Sequence, residues 1–345
     1  MNRARASLGV VISVLMLTAL GPARAAPAWT PAKTSWGDPD LRGTWPLDAV
    51  ARTPFQRPEK YGDRALLTDT EYADALKAAA ALGKRYGDEE RVGKLSTGHW
   101  TEYGTPSRQT SLIVEPSNGR LPPMTAEGKR LAAAMKSSWS EKVFDSMADF
   151  NSLDRCITRG LPASMLPFPY NNGVRIFQAP GYVVMQLEIV HETRIIPLDG
   201  RGPLPAPMQA WLGASRGHFE GDTLVIETRN FNGQSPMVIV GPTNQPVPTS
   251  KSLHIVERLT PTGPNTLQYE ASIEDPEVLT APWKLSFPWT RNDKYKLFEY
   301  ACHEGNVQLA GYIKGTSPRF ADYRKTHQGV QAGANVLAAT DARSH

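Results

Sequence analysis

The residues best suited to chemistry lie where a predicted strand ends. If residues 182–190 are extended, His191 continues the apolar face of that strand. Glu188, Glu192 and Arg194 then share the opposite, polar face. Because an imidazole in such a place can act as a general base near neutral pH, we expect His191 and Arg194 to be catalytic and Glu188 to bind substrate. The alternative is that His191 caps a hairpin corner and that the charged residues are simply solvated.

A second histidine, His303, directly follows a cysteine. Cys156 and Cys302 are the only two cysteines, and in an oxidising compartment we expect them to form a disulfide; two buried free thiols are the alternative. The disulfide would hold His303 and Glu304 at a fixed point, as a positioned acid–base pair requires. Since neighbours in an extended chain point to opposite sides, only a bulge would turn both towards one cavity. We expect His303 to be catalytic.

Three polar residues precede the strand-rich half of the chain. Tyr170, Asn171 and Asn172 offer a phenol and two amides for hydrogen bonds to a polar substrate group, and we expect them to bind substrate. They also favour a turn, because asparagine accepts left-handed backbone angles and Pro169 precedes them. Both interpretations stay open.

One later predicted strand carries polar side chains on both of its faces. If its Leu/Ile face points inward, Glu257 is a buried carboxylate that needs Arg194 or a histidine as a partner. A buried carboxylate can act as an acid, so Glu257 is a catalytic candidate; exposure at the strand end is the alternative. We expect His254, Tyr269 and Trp283 to bind the substrate.

The best-known catalytic motifs are nearly all missing. The sequence contains no HExxH, HxH, CxxC, phosphate-binding GxxxxGK[ST] or GxGxxG pattern. Gly213–Gly217 fits GxSxG, but a strand-like hairpin follows it where a nucleophile elbow needs a helix. No organic cofactor is predicted. A divalent metal stays open, because folding could bring together three of the scattered histidines, which are His99, His191, His218, His254 and His303.

The first 25 residues have the form of a secretion signal. Arg3 and Arg5 precede a short apolar run, and Ala23 and Ala25 supply the small residues before a cleavage site. The apolar run is shorter than the roughly 20 residues of a permanent membrane span. We expect cleavage after Ala25, a periplasmic or secreted protein, and no integral membrane span in the mature chain.

Removal of this segment also changes the charge. The whole chain has 38 Lys and Arg against 34 Asp and Glu. Arg3, Arg5 and Arg24 leave with the signal, so the mature balance is 35 − 34 = +1. A chain so close to neutrality has no electrostatic reason to bind phosphate backbones. The expected partner is a small organic molecule and not nucleic acid.

Residues 26–165 are predicted to form an irregular arm with short helices. Thr68 and Glu71 make a capping-box pattern before an alanine-rich stretch, and Gly87 stands where that helix would end. A second helix is expected from Thr125, and a third over residues 141–150. These segments would pack against the strand-rich part.

Alternation of apolar and polar residues dominates residues 166–312 and predicts about nine strands. They are 174–178, 182–190, 194–198, the two halves of 217–229, 252–259, 266–273, 283–290 and 297–302. Short connections favour antiparallel pairing, and a long meander tends to close because closure removes exposed edges. We expect a mainly β, lipocalin-like (calycin-like) barrel; a two-sheet sandwich is the alternative. Residues 313–345 are expected to form a partly disordered tail.

Several segments of the chain resemble a group of uncharacterised exported bacterial proteins. The segments are RIIPLDGR (194–201), EGDTLVIET (220–228), EYACHEGN (299–306), PDLRGTW (39–45) and RQTSLIV (108–114). The likeness spans roughly residues 39–312. It implies one integrated unit, and no activity transfers from it.

Two classes of function fit these observations. The first is an exported small-molecule enzyme that uses histidine and carboxylate acid–base chemistry in a barrel cavity, of the lyase, isomerase or hydrolase type. The second is a non-catalytic periplasmic binding or carrier protein for a small apolar or aromatic ligand, which the aromatic residues of the strands favour. Alanine at the acid–base residue would abolish turnover in the first class and leave ligand binding nearly intact in the second.

Overall fold

The regular structure is mainly antiparallel strand, which confirms the predicted class. The computed structural model describes residues 29–102, 104–138, 143–240 and 245–326. The strands are β1 (Gly43–Thr44), β2 (Ile113–Glu115), β3 (Val174–Ala179), β4 (Tyr182–Leu187), β5 (Thr193–Pro197), β6 (Ala214–Glu220), β7 (Thr223–Arg229), β8 (Pro236–Val240), β9 (Gln245–Pro248), β10 (His254–Gly263), β11 (Thr266–Glu274) and β12 (Trp283–Thr290). The expected signal at 1–25 and the tail beyond residue 326 lie outside the described residues.

The helices are α1 (Asp69–Arg91), α2 (Ala126–Ala134), α3 (Gln308–Thr316) and α4 (Ala321–Thr326). Thr68 caps α1 as predicted: its hydroxyl accepts from the Glu71 N–H, and the Glu71 carboxylate accepts from the Thr68 N–H. Thr125 caps α2 through its hydroxyl, which accepts from the Gly128 N–H (2.9 Å). Among the described helices, none combines the length and the apolar character that crossing a bilayer requires.

Two expected elements are absent from the described residues. Of the third helix, residues 141 and 142 lie outside the described ranges, and the rest contains only the 3-10 turn Met147–Asp149. The segment 297–302 is irregular and not a strand. The tail predicted from residue 313 is helical in α3 and α4 as far as Thr326.

The predicted closed barrel is not found: the described strands divide into three sheets. Their orders are β1-β3-β4-β5, β2-β12-β11-β10-β7-β6 and β8-β9. β5 and β6 lie side by side without pairing, because side chains of β5 cover the β6 backbone. A Cβ built on Gly217 would lie 2.8 Å from Ile196 Cγ2 and Leu198 Cδ2. Packing of side chains therefore replaces the hydrogen-bond ladder that closure would need.

The inner faces of the strands form a filled hydrophobic core. In β11 and β12 the alternating residues Tyr269, Trp283, Phe287 and Trp289 are at most 1% exposed. The Tyr269 ring centroid lies 4.9 Å from that of Trp289 and 5.2 Å from that of Phe287. Aromatic side chains occupy the space in which the sequence had suggested a ligand cavity.

The N-terminal half contributes strands to both large sheets. β1 pairs with β3, with Gly43 opposite Ile176, and β2 pairs with β12, with Ile113 opposite Leu285. The described residues from Pro31 onward form one compact unit. The arm expected at 26–165 is thus built into the sheets of residues 166–312 from Pro31 onward.

Candidate functional site

The sharpest departure from regular structure is the turn after β4. The strand expected as far as Val190 ends at Leu187, and a 3-10 turn follows over Ile189–His191. Val190 has φ 57° and His191 φ 43°, in the left-handed region. A β-branched residue is rare there, and each such residue costs roughly 1–3 kcal/mol unless its surroundings hold it. Backbone strain of this kind concentrates at functional sites.

Three chain segments meet at this turn and form what we call the His191 site. It comprises residues 170–173, 188–191 and 295–300, together with Glu102. Hydrogen bonds close the turn itself: the His191 N–H donates to the Glu188 carbonyl (3.0 Å) and the Leu187 N–H to the Glu192 carbonyl (2.8 Å). The site includes Tyr170, Asn171, Asn172, Glu188 and His191, all of which the sequence analysis selected.

The exposed ring of His191 has a defined orientation. Its Nδ1 lies 3.0 Å from the backbone carbonyl oxygen of Tyr300. A carbonyl oxygen only accepts hydrogen bonds, so Nδ1 carries the hydrogen. In the neutral ring Nε2 is then the nitrogen with the free lone pair, and in the described part of the chain no hydrogen bond engages it.

The Glu188 carboxylate lies beneath this turn and is only 3% exposed. Its Oε1 accepts from Asn171 Nδ2 (3.1 Å) and from the Phe298 N–H (2.7 Å). Its Oε2 accepts from the Gly173 N–H (2.9 Å) and from the Tyr295 hydroxyl (2.8 Å). Three N–H donors and the Tyr295 hydroxyl, whose single hydrogen is shared with Glu102, therefore surround one carboxylate.

Two further residues of the site were missed by the sequence analysis. Glu102 accepts from the Asn171 N–H (2.8 Å), from Asn172 Nδ2 (2.9 Å) and from the Tyr295 hydroxyl (3.0 Å). Tyr295 therefore lies between the carboxylates of Glu102 and Glu188. Burial, together with these carboxylates, raises the pKa of Tyr295 above its usual value, so the phenol stays protonated.

A buried polar pocket adjoins the site through Asn171 and Asn172. Arg159 donates to the Leu166 carbonyl (2.8 Å), and burial lowers the pKa of its guanidinium to about 10, which leaves it charged at neutral pH. Burial raises the pKa of Glu192, whose carboxylate accepts from the Arg159 N–H and from Ser164 Oγ at 2.8 Å. The cavity there has a volume of about 10 Å³, which is room for about one water molecule.

Aromatic side chains line the same region. The ring of Tyr170 makes an edge contact with Phe168 at 4.9 Å and lies nearly parallel to Tyr300 at 6.4 Å. Burial, together with Tyr170, raises the pKa of Tyr300. The ring of Phe298 is 68% exposed. A ligand at the His191 site would meet aromatic faces.

A second group of selected residues lies inside the core. Arg194 and Glu257, 2% and 1% exposed, form a bidentate ion pair between β5 and β10. Burial alone would lower the pKa of Arg194, but the charge of Glu257 and the hydrogen bonds to it together outweigh burial and raise the pKa. The Tyr269 hydroxyl donates to Glu257 Oε1 (3.0 Å), and Arg194 Nη2 donates to Ser215 Oγ (3.3 Å). Arg194 is thus the partner of Glu257, one of the partners that the sequence had suggested.

The remaining selected residues lie elsewhere. His254 is on the outer face of the six-stranded sheet, with Nε2 2.9 Å from Glu227 Oε1. Trp283 is in the core, where its ring makes an edge contact with Phe55 at 5.8 Å. His303 is exposed. None of these three residues contributes a hydrogen bond to the His191 site among the described residues.

The predicted disulfide is confirmed. Cys156 and Cys302 are bonded, with 5.6 Å between their Cα atoms, and they lie 146 positions apart in the sequence. Cys302 is two residues from Tyr300, so the bridge anchors the segment whose carbonyl orients His191. Within the described ranges, no three His, Cys, Asp or Glu side chains lie close enough to hold a metal ion.

Comparison with protein-family models, with curated proteins and with solved structures finds no match for this chain. The resemblance to exported bacterial proteins stays a prediction. The function is therefore argued from the His191 site itself.

Proposed function

We propose that the chain is an exported enzyme that acts on a small organic molecule by acid–base chemistry, with His191 as the proton-transferring residue. The observation that carries this proposal is the hydrogen bond from His191 Nδ1 to the Tyr300 carbonyl oxygen. It fixes the tautomer and directs a basic Nε2 outward, as in sites where histidine takes up or delivers a proton. A lyase, isomerase or hydrolase reaction would use such a group.

Cleavage after Ala25 and a periplasmic or secreted location belong to this proposal. The disulfide supports them, since disulfides persist in oxidising compartments. We also propose that the two large sheets are parts of an interrupted, lipocalin-like wall. Its support is that β5 lies beside β6, and that the Asn292 N–H, just after β12, donates to the Thr44 carbonyl of β1 (2.9 Å).

The proposal does not use every residue selected from the sequence. Arg194 and Glu257 form an ion pair with each other and are shielded from solvent, so their catalytic role stays a prediction. The same holds for His303 as a catalyst and for His254, Tyr269 and Trp283 as substrate ligands.

The test is a thermal-shift screen of small aromatic and terpenoid compounds, with and without Zn²⁺ or Ca²⁺, followed by mass spectrometry of every hit for conversion. His191→Gln should lower turnover of a converted compound by about 10²–10⁴-fold and leave its binding within a fewfold. His218→Gln is the matched control, because His218 is exposed and its Nε2 lies 3.2 Å from Glu220 Oε1, and it should retain full turnover. Equal turnover in wild type and His191→Gln would refute the catalytic role.

A non-catalytic carrier of an aromatic ligand is the second candidate. The exposed ring of Phe298 and the Tyr170–Tyr300 pair favour it. A hit that binds wild type and His191→Gln equally and is recovered unchanged would establish this alternative. Binding that is lost in Phe298→Ala would then locate the ligand at the His191 site.

A further inference from the structure

We infer that Glu188 is the positioning residue of the His191 base and not a ligand of the substrate. This inference rests on the proposed function for its chemical meaning, although its geometry does not. The carboxylate is closed to a substrate, because it is only 3% exposed and both of its oxygens already accept hydrogen bonds from the protein: three N–H donors and a share of the single Tyr295 hydroxyl hydrogen.

Glu188 holds both partners of the hydrogen bond that orients the imidazole. Its backbone carbonyl accepts from the His191 N–H at 3.0 Å, which fixes the start of the turn. Its side chain accepts from the Phe298 N–H at 2.7 Å, which fixes the chain two residues before the Tyr300 carbonyl. One residue therefore sets the distance between His191 Nδ1 and its acceptor.

The same carboxylate also holds the strained turn against the loop before β3. The Glu188 N–H donates to the Gly173 carbonyl (2.8 Å), and the Gly173 N–H donates back to Glu188 Oε2 (2.9 Å). Left-handed angles at Val190 and His191 persist only where neighbouring contacts impose them. Loss of the carboxylate would release the turn and the ring together.

A glutamine at position 188 cannot replace the carboxylate. Its amide nitrogen would face an N–H donor on either side, Phe298 and Asn171 at one oxygen position and Gly173 at the other. At least one buried donor would lose its acceptor, which is the costly case for a buried polar group. The variant keeps the shape of the side chain and removes the acceptor at one of its two oxygen positions.

The experiment measures the tautomer of His191 in the full mature protein, by long-range proton–nitrogen correlation of its ring at a pH where the ring is neutral. Wild type should show hydrogen on Nδ1. Glu188→Gln should show a mixture of tautomers while its far-UV circular dichroism stays native. With any converted compound, its kcat should fall about 10–100-fold, the range seen when the partner orienting a functional histidine is removed, and KM should change less than threefold.

Glu102→Gln is the matched control. Glu102 is also a carboxylate that accepts from Tyr295, but none of its hydrogen bonds reaches the turn or residues 298–300. Both variants should lower Tm, and only Glu188→Gln should change the tautomer of the His191 ring. A folded Glu188→Gln with a wild-type ring spectrum would overturn the inference. If that variant does not fold, Tyr295→Phe, which removes one donor to Glu188, should shift the ring signals, and an unchanged spectrum there would overturn it too.

The two proposals can fail separately. The ring measurement needs no substrate, so an inert His191 whose tautomer depends on Glu188 would refute the enzyme and keep the positioning role. Loss of turnover in His191→Gln, with a wild-type His191 ring spectrum in Glu188→Gln, would support the enzyme and refute the positioning role of Glu188.

Discussion

Replacement of Arg194 by methionine should destabilise the protein severely. The guanidinium is 2% exposed and makes both hydrogen bonds of the ion pair with Glu257. Without it, a carboxylate that is 1% exposed keeps only the Tyr269 hydroxyl as a donor. Removal of one partner from a buried pair costs about 3–5 kcal/mol, because the other charge stays buried. We expect a loss of that size in the free energy of unfolding.

Removal of both charges together should recover most of the lost free energy of unfolding. The double variant Arg194→Met/Glu257→Leu has no buried charge, but the Tyr269 hydroxyl loses its acceptor. An unsatisfied buried hydroxyl costs about 1–3 kcal/mol. The triple variant that adds Tyr269→Phe should therefore lie within about 1 kcal/mol of wild type, since apolar replacements of buried ion pairs are often neutral.

Equilibrium urea unfolding of the four proteins at pH 7, with the disulfide intact, measures these differences. The reasoning is refuted if the single variant loses less than about 1 kcal/mol, or if the triple variant is as unstable as the single one. The same series tests catalysis by this pair. A stable triple variant with wild-type turnover would show that Arg194 and Glu257 take no part in the reaction.

Three other changes test the structure around the His191 site. Replacement of Cys156 and Cys302 by alanine should cost roughly 4–5 kcal/mol in urea unfolding, because a bridge between residues 146 apart restricts the unfolded chain strongly; a loss below about 1 kcal/mol would contradict this. Gly173→Ala should lower Tm and mix the His191 tautomers, since its Cβ would lie 2.8 Å from Glu188 Oε2; a wild-type ring spectrum would count against it. Burial raises the pKa of Glu192 above 4.5, so the folded state binds a proton there more readily than the unfolded state, and the contribution of Glu192 to stability falls as pH rises from 4.5 through the folded pKa. Glu192→Gln should flatten that part of the stability–pH profile, and an unchanged slope would show that other groups produce it.

Local signals in the sequence predicted where α1 and α2 begin, but not where α1 ends. Thr68 and Thr125 cap α1 and α2 through their own hydroxyl groups, which is a short-range effect. Gly87 does not end α1, which continues to Arg91. A glycine inside a helix costs only about 1 kcal/mol, and the ion pairs of Asp88 with Lys84 and Arg91 lie on the last turns.

The alternating pattern predicted most strands but not their assembly into sheets. It missed β1, which has two residues, and β8 and β9, whose prolines obscure the alternation. It also could not show that β5 would pack over β6 without pairing, because that depends on the absence of a side chain at Gly217. Whether the strands close into a barrel depends on how the edge strands of the two large sheets meet. The alternation of residues within one strand does not determine that.

The candidate site was predictable in its residue types and not in its geometry. Tyr170, Asn171, Asn172, Glu188 and His191 were selected as polar groups at strand ends, and the structure brings them together. Glu102 and Tyr295 were not selected, because 193 residues separate them and no spacing links them.

The turn itself was mispredicted for a related reason. Apolar residues alternate through Ile189, so the pattern extends the strand to Val190. A valine at φ 57° has no local preference for that angle. Long-range hydrogen bonds to residues 295–300 impose it.

Because the core is filled, we expect the chemistry to take place at the edge of the sheets and not in the interior. A carrier of the lipocalin type keeps its ligand inside the wall of strands, but here Tyr269, Phe287 and Trp289 pack against one another in that space. Arg194 and Glu257, which do lie inside, form an ion pair with each other. Among the selected residues, His191 combines solvent exposure, a fixed tautomer and a strained backbone. Any reaction that this chain catalyses by proton transfer should therefore respond to changes at residues 188–191 and 295–300 before it responds to changes in the core.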